Sequence, residues 1–282
     1  PYIVAVRNTD VNVFFKYMVH LRKLGIEILK QADKVIFLSK TYRTFVIERY
    51  IPDLLKKEIY DKSIIIPNGI DDFWLQNKGT PKTLSGSKIN LLTVGIISKR
   101  KNQLTTTRVV KLLQKKGYKI KYTVVGKILD KKIYRQIKDL PYVQYIPHTS
   151  KENLLDIYRE NDIFVMPSVT ETFGLVYAEA MSQGLPVIYT RGQGFDGQFE
   201  EGEVGYSVNA MFTEELADKI ILIGNNYNEI SKRCIRLVDK FNWSTISNEY
   251  LKIYVSIMWG IWGKNMYILI IARGYPSEKY KM

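Results

Sequence analysis

The chain has 282 residues, 46% hydrophobic and 25% charged, with 42 Lys and Arg against 28 Asp and Glu, a formal net charge of +14. That much apolar surface excludes a disordered polymer, a disulfide scaffold and a collagen-like fibre, and the length favours two domains. The lone cysteine, Cys234, has no internal disulfide partner and fits a reducing compartment, so the cytoplasm is the expected location.

The first residues, Pro1 to Arg7, lack the basic, apolar and small-residue regions of a signal peptide. Tyr2 to Val6 reads as a strand entered in mid-domain, so a preceding segment is expected. Val13 to Gln31 carries Phe14, Met18, Leu21, Leu24 and Ile28 at helical spacing, with His20 expected as a core histidine on that helix. A strand follows at Val35 to Leu38, a helix from Thr41 to Tyr50 up to the Ile51-Pro52 break, and a third strand at Ser63 to Ile66. Asn77 to Lys88, rich in Gly, Ser, Thr and Pro without apolar periodicity, is expected to link two domains.

A second alternation begins at Ile89. Strands are predicted at Ile89 to Val94, Ile120 to Val125, Val143 to Tyr145, Ile163 to Met166, Val187 to Tyr189 and Gly205 to Val208, with a helix over Gln103 to Lys116. Thr149 and Glu152 have capping-box spacing at the start of another. Later helical patterns cover Thr213 to Ile223, Ile230 to Val238 and Thr245 to Met258. The chain therefore divides into a partial first domain with linker (1–88), a complete second domain (89–242), a helix packing back toward the first (243–258) and a tail (259–282). The class is α/β, two parallel sheets with a ligand cleft at the carboxyl ends of their strands.

No run reads as a transmembrane helix, because Gly260, Gly263, Lys264 and Asn265 interrupt the most apolar stretch. Between Lys99 and Lys138 fourteen Lys or Arg face one acid, Asp130, a balance suited to a phosphate-bearing ligand, an anionic membrane or nucleic acid. No nucleic-acid motif accompanies it, and a solvated helix face explains most of these lysines.

The most informative stretch runs from Pro167 to Met181 and on through Gln183-Gly184-Leu185-Pro186-Val187-Ile188. A strand ends at Pro167, a loop holds Glu171, and a helix starts near Gly174, where free amides and the positive end of the helix dipole form an anion site. Glu179, among Ala178, Ala180 and Met181, sits on a face expected to be buried, where an unpaired carboxylate is costly.

These residues resemble retaining glycosyltransferases of family 4, whose GT-B architecture pairs two Rossmann-like domains, here with the first incomplete. The matching elements are the two glutamates, the Phe173-Gly174-Leu175 and Glu179-Ala180-Met181 steps, Pro186-Val187-Ile188, Ile66-Pro67-Asn68-Gly69-Ile70-Asp71, Val94-Gly95 and Lys101-Asn102. The resemblance implies a hexosyltransferase that moves a sugar from a nucleoside diphosphate sugar to a glycan or lipid-linked acceptor in cell-surface polysaccharide synthesis, with no metal or other cofactor. It assigns Glu171 to donor-sugar hydroxyls, Glu179 to ribose hydroxyls, amides around Phe173, Gly174 and Leu175 to the sugar and distal phosphate, and Lys101 beside Gly95 to the diphosphate. Where many members carry Arg after that glycine, this chain has Ile96, so that part of the phosphate clamp is either absent or supplied by Arg100 or Lys99. His148 is placed near the nucleotide base, or is a plain loop residue. Asp10, in Arg7-Asn8-Thr9-Asp10, is an acceptor-side contact or a helix cap. The Gly192 to Gly197 loop is expected to be a flexible wall near the donor sugar.

From Met266 the tail looks like the first strand of another family member, by fusion or permutation, and Tyr267 to Ala272 has an open apolar edge beside Tyr2 to Val6 to pair with. Two rival readings are a basic module for nucleic acid or a membrane, and an inactive donor-binding fragment.

Overall fold

In the computed structural model, which describes residues 1–7, 15, 17–84, 86 and 88–259, the period of two along the first three strands decides where everything else packs. The strands β1 (Ile3–Ala5), β2 (Lys34–Phe37) and β3 (Ser63–Ile65) lie in parallel in that order, Val4 opposite Val35 and Ile36 opposite Ile64. Val4, Val35, Phe37 and Ile65 face the main core. There they meet α1 (Val19–Gln31), α2 (Lys40–Tyr50) and α3 (Asp53–Asp61), through Leu29, Val46, Ile47 and Ile59. Ile3, Ala5, Ile36, Ile64 and Ile66 form the other face and pack on Ile246, Tyr250, Ile253 and Ile257 of the last described helix. Alternation thus gives this small sheet a cover on each side.

Three details differ from expectation. In front of α1, Met18 sits at φ −99° and ψ 75°, outside the helical region. Of the apolar stripe predicted for this helix, Leu24 and Ile28 point outward, 58% and 40% exposed, while Met18 and Leu21 are half-buried, and His20 is exposed rather than in the core. The ring of Phe15 packs against the Gly25 side, and that turns Leu29 instead into the core. Two short helices had no periodic signal: α3, entered after Pro52, and α4 (Asp72–Gln76), capped by Asp71, whose carboxylate accepts from Phe73 N–H at 3.0 Å.

The second sheet holds β4 (Lys88–Val94), β5 (Lys119–Val125), β6 (Val143–Ile146), β7 (Ile163–Val165), β8 (Val187–Thr190) and β9 (Gly205–Val208). Their order is β6-β5-β4-β7-β8-β9, and every pair is parallel. Counted within the sheet this is the doubly wound order 3-2-1-4-5-6, and its topological switch point lies between β4 and β7. The helices are α5 (Gln103–Lys115), α6 (Lys131–Ile137), α7 (Lys151–Glu160), α8 (Leu175–Ser182), α9 (Thr213–Asn225) and α10 (Tyr227–Leu237). Leu91, Leu92, Val124, Val125, Phe164, Val165 and Ile188 are buried, which is why these strands read as continuous apolar runs rather than alternations. The cap of α7 is Ser150, which accepts from Asn153 N–H at 3.3 Å; Thr149, the expected cap, instead accepts from the Asn153 side chain.

The two sheets are tied at several points. A 3-10 turn at Val238–Phe241 precedes α11 (Trp243–Trp259), and Ile70 N–H donates to Phe241 O at 3.0 Å. Residues of the Asn77 to Lys88 stretch lie against the second sheet's helices. Gly79 N–H reaches Ser182 O at 2.8 Å, and Lys82 Nζ donates to Arg159 O at 2.6 Å and Tyr158 O at 3.3 Å, satisfying carbonyls at the end of α7. Among the described residues no helix is long and apolar enough to cross a membrane. Asp10 and the segment Tyr267 to Ala272 lie outside the described residues.

Candidate active site

The loops that leave the carboxyl ends of β4 and β7 meet at the switch point, where an open α/β sheet leaves a crevice. Gly95 ends β4, its N–H on Val125 O at 2.8 Å. Lys101 follows in a tight turn closed by its N–H on Ser98 O at 3.1 Å, and its side chain lies across Gly95. Lys101 is 8% exposed, and its Nζ donates to Glu171 Oε2 and approaches Met166 Sδ at 3.3 Å. Burial pulls the Lys101 ammonium below its ordinary pKa, while the Glu171 carboxylate opposes that pull. Arg100 adds a second cation, Nη1 standing 3.6 Å from Glu171 Oε2 and donating to Thr170 O at 3.0 Å.

Glu171 is held by its own backbone. Its N–H donates to Gln193 Oε1 at 2.7 Å, and its carbonyl accepts from Gly194 N–H at 3.1 Å. At Gly194 only a glycine fits, since a Cβ would stand 1.3 Å from Thr172 O. Gly174, at φ +76°, turns the chain from this loop into α8 in the left-handed region that glycine adopts without penalty. No side chain caps α8, and its start adjoins the ion pair, since a Cβ on Gly174 would stand 3.3 Å from Glu171 Cγ, which sets the positive end of the helix dipole beside Glu171. Tyr177 OH, donating to Met166 O at 2.6 Å, pins the helix to the end of β7. Phe173 is buried and Leu175 40% exposed.

Glu179, in the second turn of α8, has different partners. Its carboxylate accepts from Tyr158 OH at 3.2 Å. Burial raises its pKa to about 7, the Tyr158 hydrogen bond and the Lys151 charge working against that rise. Lys151, at the start of α7, pairs with Asp71 in the segment after β3. His148 is exposed in the loop between β6 and α7, at the same carboxyl edge.

The structure therefore brings Gly95, Arg100, Lys101, Glu171 and the start of α8 together, and sets Glu179 further along that helix. On the other side of the cleft, Arg7 donates to Asn68 Oδ1 and to Tyr250 OH at 2.9 Å. Residues to which the sequence gives no site role are Tyr158 and Met166. Gln193 stands 22 residues from Glu171, in the loop expected near the donor sugar, just after the strand adjacent to β7. The Gly192 to Gly197 loop, expected as a flexible wall near the donor sugar, lies against the Glu171 backbone, with Phe195 buried at 1% exposure. A cavity of about 650 Å³ lined by Phe212, Glu215 and Leu222 lies along α9 and includes neither site glutamate. The convergence of charge at Lys101 and Glu171, not cavity size, locates the site.

This architecture has known counterparts. A sucrose-phosphate synthase from Thermosynechococcus elongatus superposes with a TM-score of 0.69 at 19% identity over 92% of this chain and 68% of the other. Anabaena Alr3699/HepE in complex with UDP gives 0.69 at 16% identity over 91% and 72%. Both show the shared fold, GT-B. In sequence, a D-inositol 3-phosphate glycosyltransferase of Rhodococcus erythropolis is 30% identical over 115 residues, covering 40% of this chain and 26% of that protein. An uncharacterized 41.2 kDa protein in the cps region of Klebsiella pneumoniae is 31% identical over 175 residues, covering 60% and 47%. The chain thus spans from about a quarter to about half of these two curated relatives. The family described as glycosyl transferases group 1 matches residues 78–239, more than half of the chain and the whole span from Lys101 to Glu179. The chain belongs to the glycosyl transferases group 1.

Proposed function

We propose that the chain is the donor-binding part of a retaining, metal-independent hexosyltransferase that passes a sugar from a nucleoside diphosphate sugar to a glycan or lipid-linked acceptor in cell-surface polysaccharide synthesis. The observation that carries this reading is the Lys101–Glu171 pair set against the uncapped start of α8 at the switch point. A buried ammonium and a ring of free amides suit a diphosphate; a carboxylate beside them accepts hydrogen bonds from sugar hydroxyls.

In this reading the diphosphate takes the charge of Lys101 and Arg100 from Glu171, whose freed oxygens turn to the hydroxyls of the donor sugar. The amides from Phe173 to Leu175 hold the sugar and distal phosphate, and Glu179 accepts from ribose hydroxyls. The bond from the anomeric carbon to the leaving phosphate oxygen breaks and that from the anomeric carbon to the acceptor oxygen forms on the same face. The acceptor proton passes to the departing phosphate, whose growing charge Lys101, Arg100 and the helix start stabilise. Asp10 is an acceptor-side contact and His148 a contact to the base. The exposed cations Arg108, Lys111, Lys115, Lys131, Lys132 and Arg135 on α5 and α6 would hold the protein against the anionic inner face of a membrane where a lipid-linked acceptor resides.

The test is a thermal-shift screen against UDP, GDP and ADP sugars, followed by transfer assays with and without chelator and analysis of the product's anomeric configuration. A sugar nucleotide that binds only the folded state raises the midpoint, by an amount that grows with the logarithm of its concentration over its Kd. Glu171→Gln should lower kcat by about 10²-fold or more. Wild-type turnover in that variant, or an inverted product, would overturn the assignment.

A further inference from the structure

The loop between β8 and β9 touches the site at one end and the first domain at the other. At the site end, Gln193 Oε1 and Gly194 N–H clamp the two backbone polar groups of Glu171. At the other end, Gln198 is buried and its Nε2 donates to Leu38 O, at the carboxyl end of β2, at 2.6 Å. Gly197 lies so close to Thr41 that a Cβ would stand 2.7 Å from its Oγ1. The loop is stiff between these ends: Gly192 N–H donates to Asp196 Oδ2 at 2.8 Å, Asp196 N–H to Gln193 O at 2.9 Å, and Gln198 N–H to Phe195 O at 3.2 Å.

A second route joins it. Phe195 packs in an aromatic cluster with Phe173, the second residue after Glu171, at 6.2 Å between ring centroids, and with Phe241 at 6.0 Å. Phe241 carries the carbonyl on which Ile70 of the first domain is bonded. Both paths from the first domain therefore converge on Phe195 and end at the Glu171 loop.

We propose that residues 192–198 form an interdomain strut, in which Gln198 reads the position of the first domain through Leu38 and Gln193 sets the Glu171 loop accordingly. Gln193 and Gln198 are positioning residues; the consequence for turnover rests on the proposed function, whereas the mechanical coupling does not. The amide of Gln198 makes a strong discriminator. Its Oε1 is buried without a partner, so a methionine of similar volume relieves one unsatisfied acceptor while it removes the bond to Leu38 O and the longer one, 3.5 Å, to Gly194 O. The relieved Oε1 and the emptied Leu38 carbonyl act on stability in opposite directions, so a change at the Glu171 amide reports coupling only where it exceeds the change at amides of the sheet core.

The experiment uses the full chain as wild type, Gln198→Met, Gln193→Met and Gln193→Glu, read by hydrogen exchange of the amides from Thr170 to Gly174, UDP affinity, and turnover. In Gln198→Met, exchange at the Glu171 amide should rise about fivefold or more beyond any rise at the amides of β4 and β5, as that distant segment loosens. UDP affinity should stay within about twofold while kcat falls about tenfold, the signature of an interaction realised during turnover rather than in binding. Gln193→Met should do the same. Gln193→Glu, which keeps an acceptor oxygen for the Glu171 amide, should return its protection. Wild-type exchange at Glu171 in Gln198→Met refutes the strut, even where UDP binding and transfer are intact. If the wild type binds no sugar nucleotide, the proposed function fails, and the exchange measurement still decides the coupling.

Discussion

Glu179 offers the sharpest test of the electrostatics. Its carboxyl moves from 4.5 in an unfolded chain to about 7 in the folded one, because burial in α8 disfavours the charge more than Tyr158 and Lys151 favour it. The folded state therefore holds this proton more tightly than the unfolded state, so stability falls as pH rises from about 4.5 to 7 and stays reduced above that. The difference is worth about 3 kcal/mol at about 1.4 kcal/mol per tenfold change in proton affinity, trimmed to about 2 because the residue keeps some contact with solvent. Glu179→Gln keeps the shape and cannot ionise. Against wild type it should gain about 2 kcal/mol at pH 8 relative to pH 5, or about 4 to 8 °C in melting midpoint for a chain of this size. Calorimetry of both proteins at the two pH values measures it. If Glu179 takes the ribose hydroxyls as proposed, the variant should also lose the improvement in nucleoside diphosphate affinity that the wild type gains as pH rises through 7, because a carboxylate has two acceptor oxygens and an amide one. An equal midpoint difference at pH 5 and pH 8 would refute the assigned ionisation.

Three further outcomes are expected. Glu171→Ala leaves the buried Lys101 ammonium without its counter-charge, and chemical denaturation should show a loss of about 3 kcal/mol. Lys82→Met removes a cation from the carbonyls of Tyr158, Arg159 and Asn161, so urea unfolding should report a loss of about 2 kcal/mol. The Cys234 thiol is buried and its pKa pushed well up; it should react with a thiol reagent only as fast as the fold opens, and fast labelling in native buffer would contradict its placement.

Some of this was legible from the residues in order. The strands of the second sheet are apolar runs bounded by turn residues, and each was found to within one residue at either end. Glu171, Gly174 and Glu179 stood out because a carboxylate, a glycine and an apolar helix face follow one another within nine residues. Helix α1 was misjudged in orientation, since its apolar residues occupy two faces and only the ring of Phe15 decides which one turns inward. Helix α4, at five residues, is too short to show a period of 3.6, and α3 begins directly after the Ile51-Pro52 break, where proline marks the end of one helix without announcing the next.

What the sequence determines by itself is the local chemistry: the class of fold, the position of the Gly174 turn and the two carboxylates, all set by residues near one another in the chain. Tertiary structure decides what those groups can do. The partner of Glu171 comes from Lys101, 70 residues away, its backbone is held by Gln193, 22 residues away, and the proton affinity of Glu179 follows from Tyr158 and the burial around α8. These are contacts across separate strands and helices, and their strength depends on desolvation, which exists only once the sheet and its covering helices have closed around them.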